Sequence, residues 1–325
     1  MREITYAQAL YEAIRQEMQR DDNVFVFGQG VDDHKGHYGT TMNLHRDFGP
    51  DRCFDTPLAE DAMTGLAVGA ALAGMRPINV HQRMDFLLLC MNQLVNMAAK
   101  FSYMFNGAYR VPLVVRASIG RSWGQGAQHS QALHAMFMHV PGLKVVAPTT
   151  AHDAKGCLIA AIRDNNPVVF IEHRMLYGLS GHVAEESYEV PFGQARILAE
   201  GADVTIVAIS HMVIEALRAR RHLEAVGIAA EIIDPVSLSP IDWQSIVSSV
   251  EKTGRLLVVD NGWLSCGASA EIIAETVERL QGKRGITVGR LGFASSPCPT
   301  TRPLEQLYYP NDRTIASRAH SLVTG

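Results

Sequence analysis

Short apolar runs alternate with segments of helical period along the whole chain. Val24–Gly28, Pro77–His81, Pro112–Ala117, Leu143–Ala147 and Val168–Glu172 are rich in β-branched and apolar side chains and read as buried strands. Between them the spacing predicts helices over 57–74, 86–105, 129–138 and 151–164, after an opening helix over 6–19 that Thr5 caps. Past 196 the pattern restarts with strands Val204–Ser210, Ala229–Ile233, Arg255–Asp260 and Gly285–Arg290 and helices over 212–226, 241–250 and 267–280. Strands alternating with helices imply parallel sheets built from βαβ units, so the expected fold class is α/β with two doubly wound domains. The segment Arg174–Arg196 breaks the period at Gly178, Gly181, Pro191 and Gly193 and reads as the linker, which gives expected domains 1–185 and 186–325. The proline-rich stretch Pro297–Pro310 is expected to wrap over the second domain.

Composition narrows the class. The chain has 325 residues, 47% hydrophobic and 19% charged, with a net charge of -4, values that give no electrostatic reason for binding nucleic acid or an anionic membrane. The predicted helix 57–74 carries Glu60 and Asp61 and reads as a core helix, not a membrane span. Nothing at Met1–Thr5 resembles a secretory signal. Cys53, Cys90, Cys157, Cys266 and Cys298 form no CxxC pair, which suits reduced thiols in a cytoplasm. The 13 histidines include no HExxH, so a histidine metal site is not supported.

In parallel sheets ligands bind beyond the carboxyl ends of strands, so the loops there hold the candidate chemistry. Glu60 stands at the head of an Ala/Gly-rich helix; it either presents an acid to a buried ligand or merely complements the helix dipole, which Asp61 would do equally well. His81-Gln82-Arg83-Met84-Asp85-Phe86 follows the second strand, and Phe86 by itself reads as core. Ser118–Gln131 is a glycine-rich loop that delivers His129 to a helix start, where a histidine is often only a hydrogen-bonded terminus. That loop matches neither the P-loop nor GxGxxG, and Ser122 lacks a GxSxG context.

Taken together, Phe54-Asp55-Thr56-Pro57-Leu58-Ala59-Glu60, Val68-Gly69-Ala70-Ala71, Asn96-Met97-Ala98-Ala99-Lys100, Ala127-Gln128-His129-Ser130-Gln131, Pro141–Val146 and Ile162–Val168 resemble the β subunit of thiamine-diphosphate-dependent 2-oxo acid dehydrogenase E1 components, of the pyruvate, branched-chain and acetoin type. The resemblance covers nearly the whole chain and implies a thiamine pyrimidine-binding domain followed by a transketolase C-terminal-like domain. It assigns Glu60 to the pyrimidine N1′ of thiamine diphosphate, Phe86 and Leu58 to contacts with the aminopyrimidine, and His129 to the substrate and the incoming lipoyl group. It also implies a structural potassium ion held by oxygens of Leu113, Ala161, Ile162, Asp164 and Asn166; a solvated Asp-Asn-Asn turn before Pro167 fits the same letters.

The chain lacks the Gly-Asp-Gly followed by Asn-Asn with which thiamine enzymes hold Mg²⁺ and diphosphate. The resemblance therefore implies half a site, completed by an α subunit in an α2β2 tetramer and serving a small 2-oxo acid, with a lipoyl acyltransferase E2 as a further partner. Departures include Gln29, where many members carry Glu, the polar His81-Gln82-Arg83, Asp234-Pro235-Val236, and Arg121, Trp123 and Gln125 in the glycine-rich loop. His81, Gln82 and Arg83 motivate an alternative, a thiamine-dependent carboligase or ketol transferase. A non-catalytic scaffold with the same fold is the third reading.

Overall fold

The computed structural model describes residues 2–121, 124–283 and 285–325; Ser122 and Trp123 lie outside the described residues. A short strand, β1 (Arg2–Thr5), leads into α1 (Tyr6–Arg20), where Thr5 forms a capping box with Gln8. The chain continues through β2 (Val24–Gly28), α2 (Leu44–Phe48), β3 (Cys53–Asp55), α3 (Glu60–Leu72), β4 (Arg76–His81), α4 (Ala99–Met104), β5 (Val114–Ile119) and α5 (His134–Met138). Then come β6 (Lys144–Val146), α6 (Ala151–Arg163), β7 (Val168–His173), β8 (Ser180–Val183), β9 (Arg196–Ala199), β10 (Val204–Ala208), α7 (Met212–Glu224) and β11 (Ala230–Asp234). The remainder is β12 (Ser237–Ser239), α8 (Trp243–Thr253), β13 (Arg255–Trp263), α9 (Ala268–Leu280), β14 (Thr287–Phe293), α10 (Arg302–Tyr308) and α11 (Asp312–Thr324).

Internal contacts divide the chain into two units. One comprises the residues up to Ile119 with Met136–Pro191, the other Gly120–Ala135 with Phe192–Gly325. In the first, strands run in the order β6-β7-β5-β4-β2-β3 with every neighbouring pair parallel. Leu10, Ile14 and Met18 recur every fourth residue on α1 and are fully buried where that helix meets α6. Each such side chain contributes about 1.5–3 kcal/mol of burial. The second unit orders its sheet β14-β13-β10-β11-β9, parallel except for the antiparallel edge strand β9. Its core joins Ile206, Ala208 and Val259 of the sheet to Val213 and Ala216 of α7 and to Ile315 and Ala319 of α11.

The expected elements differ from the observed ones in a few places. The predicted helix 86–105 is a 3-10 turn over Met84–Cys90, a π-helical stretch over Gln93–Ala98 and then α4. Leu87, Cys90, Leu94 and Ala98 are buried, so the apolar period is kept; a spacing of three to four does not encode how tightly each turn is wound. The predicted helix 129–138 begins only at His134. The supposed linker contains β8, which pairs antiparallel with β1, and the proline-rich tail contains α10.

Candidate active site

In the first unit the site begins where β2 ends. Gly28 has φ +147°, and a Cβ there would fall 2.2 Å from the Val80 carbonyl oxygen of the neighbouring strand, so the chain can turn here only as glycine. The Asp55 carboxylate fixes the turn that follows, accepting the N–H groups of Gly30 (3.1 Å), Val31 (2.7 Å) and Asp32 (3.1 Å). This presents Gln29. The Gln82 side chain donates to the Gln29 carbonyl at 2.8 Å, and Gln29 Nε2 in turn donates to Glu60 Oε1 at 3.4 Å. Glu60 is the first residue of α3, half-buried, where the exposed N–H groups favour a negative charge. Among the described residues no basic side chain lies within ion-pair distance of it. Burial, with Glu60 adding to it, pushes the nearby Cys90 thiol up to about 11, so that sulfur stays protonated.

Phe86 is half-buried in the 3-10 turn that packs on α3, and Leu58, just before α3, is 78% exposed. Leu66, Leu88, Leu89 and Met97 add exposed apolar side chains on the same unit. The polar residues after β4 face inward. His81 is buried and held neutral, its pKa lowered to about 4 by burial. Arg83 is buried too; its guanidinium donates to the Gln82 carbonyl at 2.6 Å and to Ser118 Oγ at 3.3 Å and lies over the Tyr38 ring. Below it, Arg116 pairs with Glu172 at 2.6 and 2.8 Å and donates to Thr40, while the Tyr177 hydroxyl donates to the same carboxylate.

His129 belongs to the second unit, in the segment Gly120–Ala135, and is half-buried in a turn before α5. The segment is anchored at both ends. Arg121 stacks its guanidinium 5.4 Å from the Tyr309 ring centroid and reaches Glu215 at 4.0 Å. His134 Nε2 lies 2.8 Å from Asp260 Oδ1, an ion-pair distance without hydrogen-bond alignment. Between them Gly124 and Gly126 take φ of +64° and +69°.

Of the five residues expected to hold a cation, Leu113 lies just before β5 and the other four lie at or just after the C-terminal end of α6. Ala161 and Ile162 form its last turn, Asp164 caps it, and the Leu113 carbonyl accepts the Val168 N–H at 2.9 Å. The Asp164 carboxylate accepts the Asn166 backbone and side-chain N–H at 2.9 and 3.1 Å and pairs with Lys144. Arg76 donates to the Ile162 and Asp164 carbonyls, both at 3.0 Å. Each carbonyl oxygen has two lone pairs, so those of Ile162 and Asp164 keep an acceptor position after the Arg76 bonds. Asp55 and Arg116 in the first unit, and the His134–Asp260 pair in the second, are residues to which reading the sequence gave no role. An arginine inside the apolar run Pro112–Ala117 was a usable signal for the second of these, since a charge on a buried strand demands a partner.

This architecture is that of a thiamine-enzyme fold. Residues 2–180 match the model of the transketolase pyrimidine-binding domain and residues 193–315 that of the transketolase C-terminal domain. A solved split-gene transketolase, an inactive β4 tetramer, superposes with a TM-score of 0.81 over 99% of both chains at 24% identity, a likeness of fold. The acetoin:2,6-dichlorophenolindophenol oxidoreductase β subunit of Cupriavidus necator is 44% identical over all of this chain and 98% of that protein. The pyruvate dehydrogenase E1 β subunit of Rickettsia bellii is 43% identical over 96% of each, and the Bacillus subtilis acetoin:2,6-dichlorophenolindophenol oxidoreductase β subunit 39% identical over 97% and 96%. The chain belongs to the β-subunit family of thiamine-diphosphate-dependent 2-oxo acid dehydrogenase E1 components.

Proposed function

We propose that the chain, joined to an α subunit in an α2β2 assembly in the cytoplasm, decarboxylates a small 2-oxo acid on thiamine diphosphate and passes the acyl group to the lipoyl domain of an acyltransferase. The observation that carries this reading is Glu60: a half-buried carboxylate at a helix head, oriented by the Gln29 amide and without a cationic partner among the described residues. Such a group suits a ring nitrogen that must be held protonated. Bound there, thiamine diphosphate supplies the carbon nucleophile and the electron sink for the decarboxylation. Glu60 holds the proton at pyrimidine N1′, Phe86 and Leu58 give the ring apolar contact, and His129 holds or moves a proton on the substrate side.

The missing Gly-Asp-Gly motif supports assigning Mg²⁺ and the diphosphate to the α subunit. Leu58, Leu66, Leu89 and Met97 are exposed apolar side chains on the first unit that a partner chain would cover. Leu113, Ala161, Ile162, Asp164 and Asn166 are assigned to a potassium ion. The carboligase alternative rested on His81, Gln82 and Arg83; here His81 and Arg83 are buried, Arg83 donates to the Gln82 carbonyl and Ser118, and the Gln82 side chain donates to the Gln29 carbonyl.

The test is reconstitution with the α chain, following 2-oxo acid-dependent reduction of 2,6-dichlorophenolindophenol and then acylation of a lipoyl domain. The proposal expects turnover that requires both chains and added thiamine diphosphate. A ketol formed from pyruvate and an aldehyde, with no acylation of any lipoyl domain, would instead establish the carboligase, and no turnover with any α chain the scaffold.

A further inference from the structure

The loop that carries His129 is held at a point no role above accounts for. His134 and Asp260 are 1% and 0% exposed, so two ionisable side chains face each other with almost no water. Asp260 Oδ1, 2.8 Å from His134 Nε2, also accepts the Gly262 N–H at 3.2 Å. Gly262 packs beside the pair: a Cβ there would make ordinary van der Waals contact, 3.4 Å, with both His134 Cε1 and Asp260 Oδ2. Asp260 is fixed in β13, whereas His134 opens α5 at the end of the glycine-rich segment. Near the middle of that segment a Cβ on Gly126 would come 2.6 Å from Thr300 Cγ2, so the loop backbone is pressed against its own unit.

We propose that His134 and Asp260 are positioning residues for His129, and that their buried pair latches the loop residues 124–133 to β13. Separating the pair leaves a buried polar or charged group without its partner, which makes the latched loop position strongly preferred. Arg121 is held by Tyr309 and Glu215 on the other side, Gly126 lies against Thr300, and His129, between Gly126 and His134, inherits a fixed place in the second unit. The inference rests on the reading that His129 acts in the reaction.

The test compares His134→Ala, His134→Gln and the near-isosteric Asp260→Asn in the reconstituted two-chain enzyme. It reads hydrogen exchange of the amides 124–131 and the separate changes in kcat and KM. The latch predicts exchange in that segment about tenfold faster or more in His134→Ala and Asp260→Asn, with α1 and α6 unchanged. It predicts kcat down roughly 10- to 100-fold, as for a displacement on the order of 1 Å, with KM for the 2-oxo acid within about twofold. His134→Gln keeps a polar side chain of similar reach facing Asp260 and recovers most of both. If His134→Ala does not fold, Asp260→Asn carries the measurement. Unchanged exchange in 124–131 overturns the latch whatever the activity. His129→Ala, run alongside, separates the two ideas: wild-type turnover there removes the catalytic role of His129, while the exchange data still decide whether the pair holds the loop.

Discussion

Gln29 donates through Nε2 to Glu60 Oε1 at 3.4 Å, so an uncharged amide faces the carboxylate that the proposed chemistry needs. A second carboxylate at position 29 would place two negative charges at about that distance, where they share a proton. In Gln29→Glu the acid limb of the kcat–pH profile is expected to move up by about one pH unit or more. Gln29→Ala, which adds no charge, leaves the limb in place. A pH–rate series on both variants checks this, and coincident profiles for Gln29→Glu and the wild type would count against Glu60 being the ionising group.

Burial of His81 makes stability depend on pH. Its pKa falls from 6.5 to about 4 on folding, so between those values the unfolded chain binds a proton that the folded chain does not. Stability is therefore full above about 6.5 and declines as pH drops towards 4, by up to about 3 kcal/mol from this residue. His211, lowered to about 3 for the same reason, adds to the trend. His81→Phe should flatten its share of the slope, read as melting temperature at pH 7, 5.5 and 4.5.

Much of this was legible in the sequence. The strands β2, β4, β5 and β7 are buried along nearly their whole length and carry mostly apolar side chains because both faces of a parallel sheet are covered, and that bias needs no tertiary information. Thr5 was legible as a cap because its side chain and Gln8 are local partners. The placement of Arg121 and of residues 124–133 was not, since residues distant in sequence, Thr300, Tyr309 and Asp260, set it. The same holds at the site: Glu60 announces itself at a helix head, whereas its tie to Gln29 and the three N–H groups gathered by Asp55 exist only once β2 and β3 lie side by side.

Arg116 is the largest fully buried side chain among the described residues, and Glu172 keeps it charged: burial lowers its pKa, but the adjacent carboxylate more than offsets this and holds it above the usual value. Glu172→Ala is expected to cost about 3–5 kcal/mol by leaving the guanidinium uncompensated. Denaturant midpoints at neutral pH measure it. A cost below 1 kcal/mol would mean that water reaches Arg116 in solution.

Replacing potassium by choline should lower the melting temperature if the oxygens at the end of α6 hold a cation. The stabilisation expected at concentrations up to 100 times the dissociation constant is at most about 3 kcal/mol. Asp164→Ala should remove the potassium dependence. Identical melting in the two salts would mean that Arg76 and Lys144 already satisfy the turn.

The most direct measurement is turnover of Glu60→Gln with the α partner, thiamine diphosphate and a 2-oxo acid. The substitution keeps shape and hydrogen-bonding capacity but removes the negative charge proposed to hold the N1′ proton. The account predicts a fall in kcat of roughly 10²–10⁴-fold with the assembly intact and its melting temperature nearly unchanged. Wild-type turnover in that variant would contradict it.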